Sequence, residues 1–285
     1  MDTRASTKAR KYGQHTLSLS QIQSFREKIY TYYDRHRRVL PWRRKVTPYR
    51  VLVSEIMLQQ TQVDRVIGKY HAFLAVFPNF ASLAKAPLPK LLELWSGLGY
   101  NRRALALKAL SQKVTVEHRG RLPSETDKLL ALPGIGKYTA GAIAAFAFNQ
   151  PVVFLDTNIR RVFIHEFIND RQNIRDEEIF PLIEQTLDTA NPRKWYNALM
   201  DYGTMLKQEY VNPNKKSAHY TRQSPFENSN RQVRGTILRI LVNEAPMRAL
   251  QIVKKSGMDV ARVKKNLADL EKEGFIRRRG KVYVV

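Results

Sequence analysis

The stretch LPGIGKYTAGAIAAFAFNQPVVFLDTN, Leu132 to Asn158, sets a glycine-punctuated turn before an apolar helix, then a short apolar run that stops at a lone aspartate. Gly134 and Gly136 stand one residue apart in that turn. Glycines permit backbone conformations that other residues avoid, so successive N–H groups at the head of a helix starting near Lys137 can converge on a phosphate oxygen. An ordinary turn between helices accounts for the glycines equally well when they are taken alone. The charge of the whole chain separates the two readings.

The 285 residues carry 49 Lys and Arg against 25 Asp and Glu, a net charge of +24. Such an excess implies a polyanionic partner, nucleic acid before membrane. It is concentrated toward the ends: residues 1–45 carry 12 basic and 3 acidic side chains, residues 213–285 carry 17 and 6, and residues 46–212 carry 20 and 16. In this setting LPGIG between two helical segments reads as a helix-hairpin-helix that binds DNA backbone through Gly134, Gly136, Lys137 and Thr139. The chain has no cysteine, which excludes disulfides, thiolate zinc sites and cysteine-ligated iron–sulfur clusters. No apolar run approaches the roughly 18 residues of a membrane span, and MDTRASTKARKYGQH lacks the apolar core of a signal peptide. A reduced, cytoplasmic location without membrane attachment is the expectation.

Residues 1–15 are small, polar and basic and read as a flexible arm. From Leu17, apolar residues at Ile22, Phe25, Ile29 and Tyr32 or Tyr33 follow a helical period behind serine caps. Further helices are expected within PYRVLVSEIMLQQTQVDRVIGKYHAFLAVF, then around 83–86, 88–96, 102–119 and 124–131. Strand signals are nearly absent, so the body is all-α. Residues 212–230 hold two prolines and four asparagines and read as a linker. Residues 231–285 then read as three short helices and a hairpin, a winged-helix-like α+β domain. Its stretch 259–273 puts Val263, Leu267 and Leu270 on one face, leaving Arg262, Lys264, Lys265 and Lys272 outside it. Arg277, Arg278, Arg279 and Lys281 cluster at the wing. These charges suit either a solvated surface or a second grip on a duplex.

Asp156 lies twenty residues beyond Gly136, after VVFL and before TNIRRVF. An N-cap for the next helix is its structural role; a partly desolvated carboxylate is its chemical one. Glu55, in VLVSEIMLQQT, is flanked by Val53, Ile56, Met57 and Leu58, with no Lys or Arg three or four residues away. Burial there disfavours the charged form and leaves a proton to donate near neutral pH. Two such carboxylates, one acid and one anion, are what cleavage through an oxocarbenium-like transition state requires.

PYRVLVSEIMLQQTQV, LWSGLGYNRRALAL, LPGIGKYTAGAIAAFAF and LDTNIRRVF resemble, in order and spacing, successive blocks of the MutY-type adenine DNA glycosylases of the helix-hairpin-helix superfamily. The match spans roughly residues 40–203. It implies a two-lobed helical helix-hairpin-helix glycosylase fold in which 46–150 form a six-helix lobe with the hairpin. Residues 16–45 and 151–211 would form the counterpart of the iron–sulfur lobe. It implies that Glu55 protonates the leaving purine and that Asp156 flanks the sugar of a flipped-out nucleotide. Tyr138 and Asn158 would be pocket residues supporting water and carboxylate, and Gln59 and Gln60 would wedge the gap left in the duplex. Tyr138 stands where bifunctional members carry a Schiff-base lysine, so a monofunctional enzyme is expected, with Lys137 nearer phosphate.

The chain departs from the family in three respects. The four cysteines that usually bind a [4Fe–4S] cluster are absent, which implies no cofactor and no metal, with Trp195, Tyr196, Met200, Tyr202 and Tyr210 packing that region instead. The Nudix-related domain that reads 8-oxoguanine in many members is replaced by the short winged-helix-like tail. Asn101 stands where an intercalating tyrosine is common. The expected function is a monomeric, monofunctional glycosylase of base-excision repair that removes adenine opposite guanine or 8-oxoguanine from double-stranded DNA. A mismatch thymine or uracil glycosylase fits the same hairpin and aspartate. A noncatalytic DNA-binding or regulatory protein fits the charge and glycines but gives no use to paired carboxylates.

Overall fold

A computed structural model describes residues 16–285, so the arm at 1–15 lies outside the described residues. The described chain divides into two compact units. The first comprises the chain up to Val51 with Ser124–Ala131 and Ile135–Arg222; the second comprises Leu52–Pro123, Leu132–Gly134 and Gln223–Val285. Among the described residues no helix is long and apolar enough to cross a membrane.

The helices of the first unit begin with α1 (Leu19–His36) and α2 (Pro41–Arg44), and α3 (Pro48–Leu58) starts in this unit and continues into the second. Ser18 starts α1 through a capping box with Gln21, and Phe25 and Ile29 are its buried face. In the second unit α4 (Val63–Val76), α5 (Phe80–Ala84), α6 (Leu88–Trp95) and α7 (Arg102–Glu117) surround Tyr70, Phe73, Leu83 and Trp95, all fully buried. The hairpin is α8 (Thr126–Leu130) and α9 (Lys137–Phe148). After it come α10 (Thr157–Phe167), α11 (Asp176–Thr186) and α12 (Pro192–Glu209) of the first unit.

The first unit's core joins Phe25 and Ile29 to residues of α9–α12, with Phe25 edge-on to Phe163, Phe167 and Trp195. Burying each large apolar side chain contributes about 1.5–3 kcal/mol. The helix axes come close where side chains vanish. A Cβ on Gly203 would lie 2.6 Å from the Asn158 carbonyl oxygen, and one on Gly141 would lie 2.5 Å from the Phe154 Cβ. The apolar run 150–155 that follows α9 is extended but belongs to no sheet. Tyr196 holds it by donating to the Val152 carbonyl at 2.7 Å and packing on the Phe154 ring, 4.2 Å between centroids.

Three expectations change here. Residues 212–230 are not one linker, because a 3₁₀ turn at Pro213–Lys216 and a parallel bridge from Ile174 to Ser217 bind its first part to the first unit. The hairpin helices cluster with the first unit rather than with residues 52–123. The C-terminal segment is not a unit of its own. It has the expected winged-helix-like form: α13 (Asn230–Glu244), β1 (Met247–Arg248), α14 (Ala249–Ser256), α15 (Val260–Lys272), β2 (Arg277–Arg279) and β3 (Val282–Val284), in strand order β1-β3-β2. Its core, however, is continuous with Leu92 of α6 and packs on Leu88 and Leu105, so it completes the second unit. The hydrophobic pattern read correctly for each helix carried no information on which neighbour covers it.

Candidate active site

Asp156 caps α10. Its Oδ1 accepts the backbone N–H groups of Asn158 at 2.8 Å and Ile159 at 2.7 Å, and its Oδ2 accepts from Asn158 Nδ2 at 3.1 Å. The cap and the candidate catalytic anion are therefore one side chain, and the helix dipole adds positive potential at the carboxylate. Burial pushes the carboxyl above the ordinary aspartate range, opposed by the three donors and by the charge of Arg161. The residue keeps part of its surface accessible. An anion that is desolvated yet reachable suits a developing cation.

Arg161, only 5% exposed, organises what lies behind Asp156. It donates to Asn158 Oδ1 at 2.9 Å, to the Gly203 carbonyl at 2.5 Å and to Asn212 Oδ1 at 3.0 Å. The orientation of the Asn158 amide follows: its oxygen faces Arg161 and its nitrogen faces Asp156. Tyr138, on the first turn of α9, lays its half-buried ring near Phe154, 5.9 Å between centroids and two residues before Asp156. The structure thus brings Asp156 and Asn158 into direct contact, with Tyr138 on the element that precedes them. Sequence reasoning missed Arg161, although an arginine three residues after Asn158 on an otherwise apolar helix face is a readable signal.

The hairpin turn differs from expectation in two residues. Gly134 does adopt a left-handed backbone, φ +77°, and a Cβ there would lie 2.8 Å from that of Ala106. Gly136 does not: it is extended at φ −98°, ψ 176°, and a Cβ would meet nothing within 4 Å. It is the N-cap of α9 without a side-chain cap bond, and it is exposed together with Lys137, which leaves that helix end open to an anion. Thr139 is 3% exposed and cannot present its hydroxyl to DNA, which corrects its assignment as a contact residue.

Glu55 is 8% exposed within the unbroken buried run Val51–Met57 of α3. The helix ends just beyond it, at Gln59, half-buried, and Gln60, exposed with a left-handed φ of +54°. One guanidinium closes this end. Arg103 Nη1 donates to the carbonyls of Ile56 at 2.8 Å, Met57 at 3.0 Å and Gln59 at 2.5 Å. Its Nη2 donates to Thr61 Oγ1, Leu98 O and Gly99 O at 2.9–3.1 Å. Burial lowers Arg103 to about 10. Nothing in the sequence around Arg103 announces this.

The family's iron–sulfur cluster does not fit this chain. No cysteine exists to bind it, and among the described residues no group of His, Asp or Glu could hold a metal ion either. The region after α12 is closed by polar pegs. Asn214 donates to the Thr157 carbonyl at 2.7 Å, and Ile174 exchanges backbone hydrogen bonds with Lys216 and Ala218. Trp195, Tyr196, Met200 and Tyr202 are buried as expected, but Tyr210 is 52% exposed, its ring 5.0 Å from that of His165.

The two helices joined by the Gly134 turn, followed by a carboxylate that caps the next helix, form a helix-hairpin-helix arrangement. Residues 53–187 match the HhH-GPD superfamily of base excision DNA repair proteins. The chain is 40% identical over 179 residues to the adenine DNA glycosylase of Buchnera aphidicola subsp. Baizongia pistaciae, covering 61% of this chain and 50% of that one. It is 36% identical over 200 residues to the adenine DNA glycosylase of Homo sapiens, covering 66% and 37%. The chain therefore spans half or less of the length of these relatives. Among solved structures, a thermostable thymine-DNA glycosylase superposes with a TM-score of 0.61 at 27% identity, covering 69% of this chain and 92% of that one.

Proposed function

We propose that this protein is a monofunctional DNA glycosylase of base-excision repair that hydrolyses the N-glycosidic bond of adenine mispaired with guanine or 8-oxoguanine, acting in the cytoplasm as a monomer. The observation that carries the reading is Asp156, a partly accessible carboxyl held by three donors at a helix head. Glu55 donates a proton to adenine N7. The C1′–N9 bond breaks, its electron pair leaves with the protonated base, and the cationic sugar is stabilised by Asp156 until water adds at C1′. The water's released proton restores the acid. Asn158 orients the carboxylate and Tyr138 borders the pocket, offering no amine for a Schiff base, so the strand stays intact. The open head of α9 with Gly134, Gly136 and Lys137 takes a phosphate, and Gln59 and Gln60 fill the gap left by the extruded nucleotide.

Identity to adenine DNA glycosylases of two distant organisms supports adenine as the base. The likeness to a thymine-DNA glycosylase keeps a second reading in view. Duplexes carrying A:8-oxoG, A:G, T:G and U:G, each analysed before and after alkali, test the proposal. Scission at adenine only after alkali is the expected result; cleavage confined to T:G or U:G transfers the assignment to the pyrimidine class.

A further inference from the structure

Tyr100 lies between α6 and α7 with a left-handed φ of +47°. A bulky residue in that conformation is strained and persists only where its surroundings over-determine it. The surroundings here come from two directions. Arg103, which closes the end of α3, lies 5.5 Å from the Tyr100 ring centroid, and Arg231, from the first turn of α13, lies 5.4 Å from it. The hydroxyl accepts from Arg231 Nη1 at 2.8 Å and from Gln223 Nε2. Arg231 is itself fixed by donating to the Ser224 carbonyl at 2.6 Å. A continuous series of contacts therefore runs from the C-terminal segment through Arg231, Tyr100 and Arg103 to the Gln59 carbonyl. A second tie lies alongside: Glu273 accepts two bonds each from Arg102 and Arg234.

We infer that Arg231 is a positioning residue, through which the C-terminal segment holds the 97–101 turn and the Gln59–Gln60 end of α3 in the geometry that opens a base pair. The inference rests on the glycosylase reading for its consequence but not for its structure. It gives the short tail a task other than gripping phosphate, since the Arg231 guanidinium is already engaged.

Point variants are the appropriate test, because deleting the segment would also uncover Leu92. In the free full-length protein, Arg231→Ala should speed amide exchange across 58–61 and 97–103 and leave α9 and α10 unchanged. On a duplex with 2-aminopurine at the target, it should reduce the fluorescence rise that reports unstacking. It should also lower single-turnover base release about tenfold, the equivalent of one lost charge-assisted hydrogen bond. Affinity for undamaged duplex should hold. Tyr100→Phe should act in the same direction, and the double variant should be no worse than the more damaging single change. Arg231→Lys, which keeps the charge but not the planar stack, should remain impaired. Unchanged exchange in Arg231→Ala, or full recovery by Arg231→Lys with a loss confined to affinity and salt slope, overturns the inference. If wild-type protein releases no base from any mispair, the functional reading fails while the exchange measurement still decides this one.

Discussion

The two carboxylates are held in opposite ways. Asp156 of the first unit is secured by residues two, three and five positions along the chain: Asn158, Ile159 and Arg161. The α3 end after Glu55, in the second unit, is secured from a distance, by Arg103 some 44–47 residues on and by Arg231 beyond that. Local fixation makes Asp156 a robust electrostatic element whose geometry survives changes elsewhere. Remote fixation makes the Glu55 end adjustable, which suits the part assigned to opening the duplex.

The largest effect expected is on Asp156. Asp156→Asn keeps an N-cap of equal quality and nearly equal volume, so it should abolish base release while leaving duplex affinity intact. Because burial raises this carboxyl, its ionised form costs folding stability at neutral pH. The variant should therefore melt above wild type at pH 7, and the difference should shrink as pH falls and wild-type Asp156 takes up its proton. Melting curves from pH 7 to pH 4 check the sign. A variant less stable than wild type at pH 7 would mean that the carboxylate is mainly structural.

Glu55→Gln comes next. General acid catalysis is worth roughly 10²–10⁴, so adenine release in single turnover should fall by that factor. An undiminished rate would remove Glu55 from the chemistry. The third prediction sharpens the local half of the contrast: Arg161→Met leaves Asn158, the Gly203 carbonyl and Asn212 without their donor and should cost about 3–5 kcal/mol in denaturant unfolding. A loss below 1 kcal/mol would show that Asp156 needs no support beyond its own backbone.

The smallest effect belongs to the wing. Arg277, Arg278 and Arg279 are exposed on β2, and each phosphate they contact adds about 0.9 to the slope of log affinity against log salt. Replacing all three by glutamine should flatten that slope by up to about 3 with base release at saturating protein unchanged. An unaltered slope would place the wing away from DNA.

What the sequence reveals follows the same division. The helices, the hairpin and Asp156 are legible because caps, apolar spacing and the Gly134 turn act over a few residues. The roles of Gly136 and Thr139 are not, because a motif names residues without stating which use backbone conformation and which use a side chain. Arg103 and Arg231 are invisible for a physical reason: an arginine's partners here are carbonyls and a ring brought close by the fold, and no local pattern marks them. Tyr210 illustrates the converse. Its aromatic character promised a core position, yet the pegs at Asn212 and Asn214 close that region and leave it outside.

The central claim is that this chain removes adenine by means of Asp156, and free base is the most direct observable. Wild-type protein and Asp156→Asn, each in excess over a duplex with adenine opposite 8-oxoguanine, should be compared by chromatographic quantification of liberated base. The account predicts stoichiometric free adenine from wild type, an intact strand until alkali is added, and no adenine from the variant despite equal binding. Adenine release by Asp156→Asn at the wild-type rate, or an intact glycosidic bond with wild-type protein, would contradict it.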